Sequence, residues 1–178
     1  MDEITLDALR YHRWANLQLL EACGGLTPEQ LALTAPGTYG SIADTFMHML
    51  SGEGGYIRRL KGAERRRSAD EEFPGIEPLK ERFGRSADEL IAAANALHGG
   101  ETTQVDFDGD VAPLKQSMIV VQALHHGNDH RTHIGTILGF HSLPGPDIDV
   151  WMYGLAMHRA SPSGPAGHLP MNGEDAKC

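Results

Sequence analysis

The chain is short of the residues that would tie it to a disulfide framework, a membrane or a polyanion. It has two cysteines, Cys23 and Cys178. One closes a predicted helix and the other is the last residue, so neither a disulfide framework nor a cysteine-type zinc site is available. No apolar run approaches the ~20 residues of a membrane span. The opening Met1–Asp2–Glu3 is acidic and carries no apolar signal-peptide core, so the expected location is the cytoplasm. Basic residues are outnumbered, 15 Lys and Arg against 24 Asp and Glu, for a formal charge of −9. That balance argues against nucleic acid as a partner, since affinity for its backbone comes mainly from Lys and Arg. The one basic cluster, Arg58–Arg59 to Arg65–Arg66–Arg67, is followed at once by Asp70–Glu71–Glu72 and reads as solvated loop. GxSxG, Walker A and GxGxxG motifs are missing, as is any repeat of solenoid period.

What remains is a chain of 178 residues with ordinary globular composition. Its length suits one domain, which buries roughly 70% of its unfolded surface without needing disulfides. Helix signals divide it clearly. The first helix spans about Ile4 to Cys23 and stops at Gly24–Gly25. It is apolar on two sides, Leu6, Leu9, Leu17 and Leu20 on one and Ile4, Ala8, Tyr11, Ala15, Leu19 and Ala22 on the other. It is therefore covered twice, and one cover is a candidate second subunit. Arg13 falls inside the Leu stripe and is expected to reach solvent or a carboxylate. Thr27–Pro28–Glu29–Gln30 starts a short helix. Ser41 caps another, Ile42 to Leu60, whose core stripe also holds Glu53, a carboxylate in need of a partner. A loop over 62–79 precedes a helix from Leu79 to Leu97. Val105 and Phe107 before Asp108–Gly109 suggest a small hairpin. A long helix from Leu114 to Phe140 and a short one from Asp149 to Arg159 complete the fold. The expected class is all-α: an antiparallel four-helix bundle with short extra helices, one domain over residues 1–160. Residues 161–178, rich in Pro and Gly, are expected to be a disordered tail.

The unusual figure is ten histidines, four of which, His125, His126, His130 and His133, fall within nine residues. With His126 as zero, His130 lies at about +40° and His133 at about −20° around the helix, taking about 100° per residue. They interrupt the stripe on which Ile119 and Ile137 lie, so they face the bundle interior. His125 and Asp129 point elsewhere. Histidines at i and i+4 can place two imidazole nitrogens on one divalent ion, without identifying the metal. A mononuclear site needs a third protein ligand; the candidates outside this helix are His12, His48, His98, His141 and Glu53. Spacing alone does not choose between His48, His12 and His133, while His98 at a helix end and His158 and His168 late in the chain are weaker.

These residues resemble a known family. His126–Gly127–Asn128–Asp129–His130–Arg131–Thr132–His133–Ile134 is similar to the signature of the DinB/YfiT-like superfamily, small bundle proteins of the damage-inducible DinB family. Tyr11–His12–Arg13–Trp14–Ala15–Asn16 resembles the family's first-helix segment, and the run from Ser41 through His48 to Glu53 resembles its second helix. The Pro-Asp-x-Asp-x-Trp stretch ending at Trp151 resembles the end of related members. The resemblance implies an up-down-down-up four-helix bundle, commonly homodimeric. It also implies a divalent metal, zinc or nickel, held by His48, His126 and His130, with His133 near the site. Relatives include transferases and isomerases using low-molecular-weight bacterial thiols, and metal-dependent hydrolases. The sequence departs from the commonest pattern at Thr132–His133–Ile134–Gly135–Thr136, where many members carry His-His-Arg-Gly-Gln; Arg131 lies three residues before the usual Arg and points to a different side.

The expected function is thus that of a metal-dependent enzyme, either a hydrolase or a thiol transferase, acting on a small molecule. Glu53 and His133 are its candidate catalytic groups. For Glu53 the competing role is a salt bridge to Arg13 or Arg58. The rival from another class is a non-catalytic metal-binding or stress-related scaffold protein.

Overall fold

Local capping chemistry fixes most helix starts. The computed structural model describes residues 1–63, 71–107 and 109–160, so the tail from 161 and Arg65–Arg67 lie outside the described residues. Helix α1 (Glu3–Cys23) begins where the Asp2 carboxylate accepts the Thr5 amide at 2.9 Å, and it ends at Gly24. A single turn, α2 (Pro28–Leu31), is capped reciprocally by Thr27 and Gln30. Ser41 and Asp44 do the same for α3 (Ile42–Leu60), satisfying amides that have no partner inside the helix.

Helix ends differ from the sequence reading by up to three residues, α4 stopping at Asn95 and not at Leu97, and two of the shifted starts have a clear physical reason. Helix α4 (Ile76–Asn95) starts a turn before Leu79. Pro78 reads as a break, yet it sits in the first turn, where a proline removes no intrahelical hydrogen bond. Strands β1 (Thr102–Phe107) and β2 (Asp110–Lys115) pair antiparallel, with Val105 opposite Ala112 and Phe107 opposite Asp110. The chain turns at Gly109, whose φ of +101° suits glycine and whose amide donates to the Asp106 carboxylate. Because β2 extends through Leu114 and Lys115, α5 (Gln116–Phe140) starts at Gln116 and not at Leu114. The last described element is α6 (Val150–Ala160).

The four long helices α1, α3, α4 and α5 form the bundle. Helix α1 packs on α4 and α5, and so does α3, which leaves α1 and α3 on one diagonal. The α1–α3 and α4–α5 connections therefore cross the bundle ends, the second through the hairpin. This is the expected up-down-down-up bundle with short additions. The second side of α1 is covered in part by α6 of the same chain: Tyr153 sits 5.9 Å from Tyr11 and 5.6 Å from Trp14, centroid to centroid. Arg13 reaches the surface and pairs with Asp88 of α4 at 2.8 Å.

The apolar core is in two pieces. One cluster centres on Leu20, Phe46, Met49, Phe83 and Ile137, the other on Leu9, Ile57, Leu90, Ile119 and Ala123. Helices α1, α3 and α5 change character between them, whereas α4 stays apolar through Ala87. On α1 the buried positions run Leu9, then His12 and Asn16, then Leu19; on α5 they run Ala123, then Gly127, His130 and Arg131, then Ile134. A polar belt thus crosses the waist of the bundle, and Glu53 enters it from α3. No described helix is long and apolar enough to cross a membrane.

Candidate metal centre

Three histidines converge where α3 and α5 cross. His126 and His130 stand one turn apart on the same face of α5, as their spacing requires. His48 meets them from α3. One ring nitrogen from each lies within 4.8 Å of the others, and the Nε2 atoms of His126 and His48 are 3.0 Å apart. Two nitrogens bound tetrahedrally at ordinary Zn–N lengths stand about 3.3 Å apart, so the cluster has the dimensions of a metal cradle. Protonation is disfavoured in all three rings. Burial, reinforced by His130 and His48, pushes the His126 imidazole down to about 4. Burial likewise lowers His48, and it lowers His130 with help from His48 and His133. Neutral imidazoles are the form that donates to a cation. The donor set therefore fits a divalent ion of intermediate softness.

Aromatic rings wall the cluster. Tyr39, half exposed on the loop before α3, stacks on His48 with centroids 4.1 Å apart and presents its edge to His130. Tyr56 stands against His126. His48 and His126 remain partly accessible, whereas His130 is buried. His133 lies one turn beyond, half-buried, its Nδ1 3.3 Å from that of His130. Two grooves lie elsewhere. One of about 580 Å³ runs along the outer face of α5 past Gly135 and Gly139, and one of about 360 Å³ lies between α3 and α4; neither is lined by the three histidines.

The other candidates separate cleanly. His125 is exposed beside Asp129, and His141 bonds the Thr34 carbonyl. His98 sits at the α4 end, away from the cluster. Cys23 is buried, and burial raises its thiol to about 12, which removes it as a nucleophile. His12 does not join the three. Its Nε2 meets Glu53 Oε2 at 2.7 Å, deep in the belt. Glu53 therefore pairs with His12 and not with Arg13 or Arg58. On the other side of the ring, Arg131 Nη1 lies 3.3 Å from His12 Nδ1 and donates to Asn16 Oδ1 at 2.8 Å. Arg131 does point to a different side from the histidines, but inward, and the sequence reading attached no role to it. The available signal was glycine within helices, costly unless something approaches closely. A Cβ on Gly127 would lie 2.3 Å from His12 Cε1, and one on Gly52 would lie 2.7 Å from His126 Cε1.

The architecture recurs in solved proteins. The chain is similar to the crystal structure of a DinB-like protein from Bacillus cereus ATCC 10987, with a TM-score of 0.62 and 18% identity over 80% of this chain and 94% of that one. No curated protein matches it. The DinB family model matches residues 1–141, a stretch that takes in the bundle, the belt and all three converging histidines; the chain belongs to the DinB family.

Proposed function

We propose that the protein is a metal-dependent enzyme in which His48, His126 and His130 hold one divalent ion, zinc or nickel, with a coordination position open to a small molecule. The observation that carries this reading is the convergence of three imidazoles kept neutral by burial, two of them partly accessible. When bound, the ion would lower the pKa of a coordinated water toward ~7, or hold a thiol as its thiolate. The two reaction classes, hydrolysis and transfer from a low-molecular-weight bacterial thiol, share that step. To His133, partly accessible and 3.3 Å from His130, this reading assigns the acceptance of the proton released by either nucleophile. Glu53 acts at one remove, through His12. Tyr39 and Tyr56 give a substrate flat apolar walls.

The test is elemental mass spectrometry on untagged protein purified without chelator. About one zinc or nickel per chain is expected. His130→Ala should lose most of it, and His125→Ala, an exposed control, should keep it. Equal retention would refute the ligand assignment. Neither bound metal nor uptake would favour a non-catalytic scaffold. We also propose a homodimer, supported by the exposed Val150, Trp151, Leu155 and Met157 of α6. Light scattering after size exclusion should give twice the chain mass; a monomer at micromolar concentration would refute it.

A further inference from the structure

Three helices meet at the belt through contacts that form a closed circuit. Gly52 of α3 lets the His126 ring of α5 lie against its backbone. Gly127 of α5 does the same for the His12 ring of α1. His12 then bonds Glu53, the neighbour of Gly52, across the bundle diagonal at 2.7 Å. The two residue pairs, Gly52–Glu53 and His126–Gly127, each supply one bare backbone and one functional side chain.

The hydrogens in this circuit are fixed by elimination. A guanidinium only donates, so in the contact at 3.3 Å it is His12 Nδ1 that accepts from Arg131. Nε2 has two neighbours, Asn16 Nδ2 at 3.2 Å and Glu53 Oε2 at 2.7 Å; the ring proton that Nδ1 lacks sits on Nε2 and is donated along the shorter contact to Glu53 Oε2. A neutral imidazole thereby bridges a buried cation and a buried carboxylate, each 4% exposed. Such a buried ionic arrangement is weak evidence for stability, because apolar side chains of similar volume hold helices together as well or better. What it supplies is direction: each bond has one length and one orientation, and none tolerates the helices sliding.

We infer that His12, Glu53, Arg131 and Asn16 are positioning residues for the histidine cluster, setting how closely α1, α3 and α5 approach at the level of His126. The inference rests on the metal reading above. Shifting α5 by a fraction of an ångström against α3 would change the separation of His126 and His48 directly, because Gly52 is the surface on which His126 lies.

The experiment uses Co²⁺ as the probe, with affinity measured by chelator competition and geometry by the d–d absorption band. Glu53→Ala should weaken Co²⁺ binding at least tenfold and alter the band. Glu53→Gln, which keeps a carbonyl oxygen for the His12 Nε2–H, should recover most of both. Leu90→Ala, a core truncation in the cluster around Leu9, should lower stability and leave affinity and band unchanged. If Glu53→Ala does not fold, Gly127→Ala retains every polar group and displaces the His12 ring, crowding Arg131 Nη1 at 3.2 Å beside it; it should reproduce the loss. Unchanged affinity and band in these variants would overturn the inference. If the wild-type chain binds no Co²⁺, the metal reading fails instead. The inference is then read from imidazole ¹⁵N shifts of metal-free protein: Glu53→Ala should move those of His48 and His126, and unmoved shifts would overturn it.

Discussion

The three converging imidazoles have proton affinities set by burial, and this gives the protein a pH dependence of known sign. His126 is pushed down to about 4, against an ordinary 6.5 in the unfolded chain, and His48 and His130 move the same way. Between those values the unfolded chain carries protons that the folded chain does not, so stability falls as pH drops from about 7 toward 4. Urea melts of metal-free protein at pH 7.5 and pH 5 should show the loss, and His126→Asn should flatten it. Metal affinity of the folded chain should hold through most of that range and fall toward its acid end, where protons begin to compete with the ion for the ring lone pairs. At this scale the sequence revealed the face of α5 but not the partners across it. Helical spacing put His126, His130 and His133 on one side, whereas His12 and His48 lie on α1 and α3, both of which pack on α5, and which of them meets those rings depends on the side of α5 that each helix takes. Arg131 carries no pattern at all; its place follows only from Asn16 and His12 on another helix.

Helices announce themselves by their ends. Ser41 and Thr27 were each readable as caps because an oxygen side chain before an apolar run has one efficient use, whereas Asp2, which caps α1, was read only as part of an acidic start. Ser41→Ala should cost α3 about 1 kcal/mol, a melting shift of about 2–4 °C for a chain of this size, with metal affinity unchanged. Thermal melts paired with Co²⁺ titration check both halves of that statement. A weakened affinity would mean that α3 frays as far as His48. The ends that misled were those where two rules compete: Pro78 breaks a helix interior yet suits a first turn, and Leu114 fits a strand as well as the helix after it. Surface pairs such as Arg13 with Asp88 link α1 and α4 but are solvated; Arg13→Ala should change stability by less than about 1 kcal/mol.

For the whole molecule, the decisive feature is that its apolar core comes in two lobes joined through a polar waist. Within a lobe, truncating Phe83 or Leu90 to alanine should cost roughly 2–5 kcal/mol, since each is fully buried among apolar neighbours. Between lobes the coupling runs through a handful of directional bonds and, once filled, through the histidine cluster. Cooperativity is therefore a property of the waist, and a ligand bound only by the folded chain adds its binding energy there. Hydrogen exchange should find the lobes opening with separate free energies in the metal-free chain and merging toward one on loading. Under that outcome a bound ion would be a rivet for the fold, and metal supply would govern how long each copy of the protein escapes proteolysis.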